Sequence, residues 1–164
     1  MEGVYMYHIE PINKQNRAKV LEVLKEEWGD TTLLVSRNQE HDIRKLPGFI
    51  AVEEHKVVGI VTYKYENNEL EIITLNAFEE NKGIGTSLIE AVIEKGKELG
   101  CDRVWLITTN DNVHAMRFYQ LKGFDMVAFH EDAVNKAREK KPEIPKEGHF
   151  GIKVEHEIEF EYRL

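Results

Sequence analysis

Two segments of the chain carry residue types whose spacing suits chemistry. The first, Leu75-Asn76-Ala77-Phe78-Glu79-Glu80-Asn81-Lys82-Gly83-Ile84-Gly85-Thr86, runs from a strand-like stretch through a polar loop into a helical pattern. Gly83 and Gly85 let a backbone come close to a ligand with its N–H groups exposed, and the N-terminus of the new helix adds partial positive charge. Such a place suits a phosphate. A Gly-x-Gly turn also arises from conformational need alone, and this one fits neither nucleotide fingerprint: Gly85 is not followed by the third glycine of a dinucleotide fold, and Lys82 precedes the glycines.

The second segment is Thr108-Thr109-Asn110-Asp111-Asn112-Val113-His114-Ala115-Met116-Arg117-Phe118-Tyr119-Gln120-Leu121-Lys122-Gly123-Phe124. An apolar strand ends in an Asn/Asp-rich turn able to cap a short helix, and Gly123 returns the chain to a strand. Asn112, Ala115 and Tyr119 lie three and four apart, near one helix face, which can look onto whatever the glycine loop holds. The plainer reading makes Asn112 only an N-cap and Phe118-Tyr119 core aromatics.

In this order the two segments resemble the GNAT superfamily of N-acetyltransferases. The family's Gln/Arg-x-x-Gly-x-Gly/Ala phosphate motif corresponds to Glu80-Asn81-Lys82-Gly83-Ile84-Gly85. Its later pattern, Asn-x-x-Ala-x-x-(Phe/Leu)-Tyr-x-x-x-Gly-Phe, is matched in full by Asn112, Ala115, Phe118, Tyr119, Gly123 and Phe124. The resemblance implies an α/β, GNAT-type acyl-CoA N-acyltransferase fold: a mixed, mostly antiparallel central sheet flanked by helices and splayed between its fourth and fifth strands. It implies acetyl-CoA as cosubstrate in that splay, with no metal. Backbone groups at Leu75 and Ala77 would pair with the pantetheine arm, and the N–H groups of Lys82, Gly83, Ile84, Gly85 and Thr86 would hold the pyrophosphate. Asn112 would bond the arm or order the turn beside Ala115, and Tyr119 would protonate the departing sulfur. Glu80 departs from the motif; a carboxylate repels a pyrophosphate, so Glu80 is expected to point outward.

An amine acceptor must lose a proton before attacking a thioester, and an amine of pKa about 10.4 is only about 0.1% neutral near pH 7.4. A general base is therefore expected. Glu71, just upstream of the CoA segment, and Glu157, in the last strand, are the candidates, each needing a raised pKa or a relaying water. His156 shares its parity with apolar residues, and His114 and His149 have no partner fixed by the sequence. A backbone N–H near Leu75 to Ala77 would stabilise the oxyanion.

The elements that must position these residues follow from periodicity. Val4 to Ile9 reads as an opening strand ended by Pro11, and Asn13 as the cap of a helix burying Ala18, Leu21, Leu24 and Trp28. Asn38 to Leu46 reads as a short helix stopped by Pro47-Gly48. Phe49–Val52, Val57–Tyr63 and Leu70–Leu75 form a meander joined by polar turns. A helix from Ile84 to Leu99, with Ile84, Leu88, Ala91, Val92 and Leu99 on one face and Gly100 after it, crosses to a parallel strand at Val104–Thr108. A helix from Asn112 to Leu121, a strand from Phe124 to Phe129 and a helix from Asp132 to Lys140 come next, and residues 130–150 form a lid, an acceptor-side wall or a solvated insertion. In the last strand Glu155, Glu157, Glu159 and Glu161 share one face, read either as the solvated side of an edge strand or as the lining of a cleft.

The 164 residues suit a single domain over 1–164, and Cys101 alone forms no intrachain disulfide. With 22 Lys+Arg against 30 Asp+Glu the net charge is −8, which argues against nucleic acid as a partner and suits either solubility or a cationic acceptor. No membrane span or signal peptide is read, so a cytoplasmic monomer or homodimer is expected. The expected activity is acetyl transfer from acetyl-CoA to a primary amine of a small molecule or peptide in a ternary complex. The alternatives are a non-catalytic acyl-CoA-sensing or protein-interaction module and a binder of another phosphate ligand.

Overall fold

The computed structural model describes residues 7–29, 33–36, 39–78 and 83–164. Their elements, in chain order, are β1 (His8–Pro11), α1 (Arg17–Trp28), β2 (Leu33–Ser36), β3 (Gln39–Asp42), β4 (Gly48–Glu53), β5 (Lys56–Glu66), β6 (Glu69–Ala77) and α2 (Ile84–Glu98). They continue through β7 (Arg103–Thr109), α3 (Val113–Leu121), β8 (Asp125–His130), α4 (Ala133–Lys140), a 3₁₀ turn (His149–Gly151) and β9 (Glu157–Arg163). Seven strands form one sheet in the order β1-β4-β5-β6-β7-β9-β8, and β2 with β3 makes a separate ribbon. Every neighbouring pair in the sheet is antiparallel except β6 and β7, which are parallel and joined through α2.

The meander forms as its turns predict. Glu54-His55 and Asn67-Asn68 all have positive φ, the conformation of two-residue hairpin turns whose twist matches that of the strands. α2 ends where Gly100, at φ 69°, donates to the Lys97 carbonyl while Cys101 donates to that of Gly96. That glycine cap accounts for the sharp stop before β7. Ile84, Leu88, Ile89, Val92 and Ile93 of α2 are buried with Leu70, Ile72, Val104, Leu106 and Phe160 of the sheet. Gly59 of β5 brings the helix close, since a Cβ there would lie 2.6 Å from Cγ2 of Ile84. A second core forms around Val20, Leu24, Ile43, Ile50 and Ile60.

Several local expectations are corrected. β1 begins at His8 and includes Pro11, which this strand tolerates because one side of it has no neighbouring strand among the described residues; Val4 to Met6 lie outside them. α1 starts at Arg17, because the Asn13 side chain accepts from the N–H groups of Gln15 and Asn16 and so shapes the turn before the helix. Its buried residues are Val20 and Leu24, whereas Ala18 is exposed. The helix expected over 38–46 is absent among the described residues: Gln39–Asp42 pairs with Leu33–Ser36, which buries His41, and Asn38 lies outside the description. Leu99 caps α2 on its exposed side. The last strand is interior, between β7 and β8, so Glu157 and Glu159 are buried and the edge-strand reading fails.

The feature that positions the site is the short seam between β6 and β7. Their ladder joins only Glu69–Ile72 to Arg103–Leu106. Beyond it β6 continues against β5 and β7 against β9, so residues 73–77 and 107–109 diverge. The divergence starts at a bulge: Thr62 faces Thr74 and Tyr63 faces Ile72, leaving Ile73 as the extra residue of β6.

Candidate active site

Among the described residues, Ile73–Ala77 and Ile107–Thr109 have no strand partner on the side of the gap they enclose. Leu75 is half-buried against the α2-side core, and Ala77 is exposed. The N-terminus of α2 lies beyond them in the chain. Its first intrahelical bond runs from Ser87 N–H to the Gly83 carbonyl, leaving the N–H groups of Ile84, Gly85 and Thr86 without partners inside the helix. The Ser87 hydroxyl is fixed by Tyr7 Oη at 2.8 Å. Gly83 caps the helix at φ 74°, where a side chain is strained. At Gly85 a Cβ would sit in ordinary contact with the Phe118 ring, at 3.4 Å, so packing against α3 does not itself require a glycine there. The Ile84 side chain is buried, which leaves only its backbone for a ligand. Lys82 and Glu80 lie outside the described residues.

Asn112 is the N-cap of α3, its Oδ1 accepting the Ala115 N–H at 3.1 Å. Tyr119 is buried with its ring against Phe118, Phe124 and Phe160 at centroid distances of 5.3, 5.5 and 6.1 Å. The plainer expectation for both, cap and core aromatic, is met. Burial pushes the Tyr119 hydroxyl well above its ordinary range, so it stays protonated.

Glu71 and Glu157 line one cleft of about 340 Å³ at the β6–β7 opening. Glu71 lies opposite Trp105 in the last paired stretch, and Glu157 opposite Thr109 at the end of β7. α1 contributes Trp28 to the walls, and α4 with the loop after it contributes Val134, Ala137, Lys141 and Ile144. The 130–150 segment is therefore a wall of this cleft. A second recess of about 250 Å³, lined in part by Lys64, Glu66 and Glu69, meets the first at Glu71.

The four glutamates expected on the last strand thus divide, Glu155 lying in the loop before β9 and the other three within it. Arg103 donates to Glu69 at 2.7 Å, Glu159 at 2.8 Å and Glu161 at 3.1 Å, and His130 Nε2 contacts Glu159 at 3.1 Å. Burial works against the Arg103 charge, but the Glu159 and Glu69 carboxylates outweigh it and raise its pKa. Glu157 is the member that lines the cleft.

The sequence reading missed a clasp at the end of β7. Asp111, buried, accepts from the Thr109 hydroxyl at one oxygen and from both the backbone N–H (3.0 Å) and Nδ1 (2.8 Å) of His149 at the other. Burial would raise its pKa, but the hydrogen bonds from Thr109 and His149 hold the carboxyl below its ordinary value. Asn110 fastens the same turn to the chain before β9, its Oδ1 accepting from Glu155 and His156 N–H and its Nδ2 donating to the Lys153 carbonyl. The Asn/Asp-rich turn signals capping, but a partner 38 residues away has no local signature.

A family model described as the Acetyltransferase (GNAT) family matches residues 13–124. The chain belongs to the GNAT acetyltransferase family. The uncharacterized protein YdhI of Bacillus subtilis (strain 168) is 40% identical over 156 residues, 94% of this chain and 97% of its own. YxbD of the same organism is 40% identical over 119 residues, 72% of this chain and 74% of its own. A GNAT acetyltransferase from Elizabethkingia anophelis, solved with acetyl-CoA bound, shares the fold at TM-score 0.73 and 18% identity, covering 96% of this chain and 98% of that one. An IAA acetyltransferase from Bacillus cereus ATCC 14579 shares it at TM-score 0.72 and 22% identity, covering 97% and 100%. The sheet described above, with its one parallel pair and open seam, is the GNAT fold.

Proposed function

We propose that this GNAT protein transfers the acetyl group of acetyl-CoA to a primary amine of a small molecule or peptide by direct attack in a ternary complex. The observation that carries the reading is the β6–β7 opening, which has a helix N-terminus following one of its strands and two buried carboxylates on the cleft it forms. Neighbours of the same fold were solved with CoA or acetyl-CoA, and the bare backbone at Gly83 and Gly85 suits a pyrophosphate. The amide groups of Leu75 and Ala77 would bond the pantetheine arm as a neighbouring strand would. The N–H groups of Gly83 to Thr86, with Lys82, would hold the phosphates. Asn112 and Ala115 would fix the turn that borders the arm.

In the reaction the amine nitrogen forms a bond to the thioester carbonyl carbon, giving a tetrahedral oxyanion that a β6 N–H stabilises. Glu71 or Glu157, directly or through water, takes the proton from the nitrogen. The C–S bond then breaks, and Tyr119 gives its proton to the departing sulfur and regains one from solvent. CoA and the N-acetylated amine leave.

The test is thiol release from acetyl-CoA with a panel of amines, comparing wild type with Glu71→Gln and Glu157→Gln. The base is the carboxylate whose loss lowers kcat by about 100-fold or more while CoA affinity holds. CoA binding without turnover of any amine would overturn the transferase reading and favour an acyl-CoA sensor.

A further inference from the structure

The walls of the cleft specify the acceptor more narrowly than its carboxylates do. The two carboxyl groups on its lining, Glu71 and Glu157, can share the work at the reacting nitrogen: one takes its proton, and the other balances its charge on entry. Most of the remaining lining among the described residues is apolar, formed by Trp28, Leu34, Ile73, Ile107, Val134 and Ile144, with Thr108, Thr109 and Lys141 as its polar members. These residues come from five elements and one loop that meet only in the folded chain. α4 and its C-cap, which form one wall, carry Lys136, Arg138, Lys140 and Lys141 against Glu139. Counted over 133–141 the charge is 4 − 1 = +3, in a chain of net charge −8. Lys141 itself lines the cleft.

We infer that the acceptor is a primary monoamine with an apolar body of the size of an aromatic ring and no second positive charge; this rests on the transferase reading above. Such a molecule puts its ammonium group between Glu71 and Glu157 and its body against Trp28, Ile73 and Ile144. Within this cleft a polyamine or aminoglycoside instead carries its further ammonium groups along mostly apolar walls, which replace their water poorly, and towards Lys141. The acidity of β9 does not recruit such polycations, because its other two carboxylates, Glu159 and Glu161, are held by Arg103.

The experiment compares 2-phenylethylamine with spermidine in two assays on the full chain: kcat/KM with acetyl-CoA, and equilibrium binding by calorimetry in the presence of CoA. The expected result is a preference for 2-phenylethylamine of about tenfold or more in both, in keeping with what a few methylene-sized contacts contribute in a fitted pocket. Ile144→Asp, in the loop wall and outside the catalytic set, is expected to shrink that preference several-fold while CoA affinity is unchanged. Equal or better use of spermidine overturns the inference and leaves acetyl transfer intact. If neither amine is turned over, acetyl transfer to such acceptors falls, and calorimetry still decides the selectivity: tighter binding of 2-phenylethylamine supports it, and equal or weaker binding overturns it.

Discussion

A Cβ on Gly148 would lie 2.1 Å from Oδ2 of Asp111, the same oxygen that accepts both the N–H and Nδ1 of His149. The clasp between the end of β7 and the loop before β9 therefore depends on a residue with no side chain. Gly148→Ala is expected to cost about 1 to 3 kcal/mol, the usual range for forcing an added methyl into filled space. Denaturant unfolding measures it, and an unchanged midpoint would show that the loop relocates freely.

Asp111 also sets an acid limit. Its folded pKa lies below the ordinary carboxylate value, so its contribution to stability is fully present above about pH 3.9 and is lost as pH falls through the folded value. Urea midpoints followed from pH 6 down to 3 should fall in wild type. In Asp111→Asn they should start lower and fall less steeply. Parallel curves would remove Asp111 as a source of the dependence.

Gly59→Ala should weaken both folding and CoA binding. The added methyl would press on Ile84 and Leu88, the first turns of α2, and displace the N–H groups offered at its N-terminus. A loss of about 1 to 3 kcal/mol is expected, with a reduced CoA-induced rise in Tm. Destabilisation with CoA binding intact would mean that the helix end is held independently of its contact with the sheet.

Tyr119→Phe keeps the ring that packs on Phe124 and Phe160, so the unfolding midpoint should change little. At neutral pH kcat should fall about tenfold to 100-fold. The difference should narrow above about pH 8.5, where a departing thiolate no longer needs a proton. An undiminished kcat at pH 7 would assign the proton to another donor.

The long periodic elements and the motif-bearing turns were legible because their signals are local. Gly100 stops α2, Asn112 caps α3, and the apolar run of 104–108 forms the parallel strand. What the sequence left unread depends on residues far apart in the chain. Gln39–Asp42 is a strand because it meets Leu33–Ser36, and its polar composition gives no period to read. Glu159 is buried because β8 closes over β9 and Arg103 reaches across from β7, so a pattern that suits an edge strand sits inside the sheet. The same holds at the cleft, where Glu71 and Glu157 were proposed from strand position but the apolar walls and the Asp111 clasp come from elements that only the fold joins.

The opening between β6 and β7 has one more consequence, for association with other chains. Unpaired strand edges template aggregation, and this sheet has two kinds. The outer ones are blunted in ordinary ways, β1 by Pro11 and β8 by an irregularity at Val127. The inner ones, residues 73–77 and 107–109, face each other across a gap inside the sheet. They keep their hydrogen-bonding capacity for a slender guest while denying it to a foreign strand.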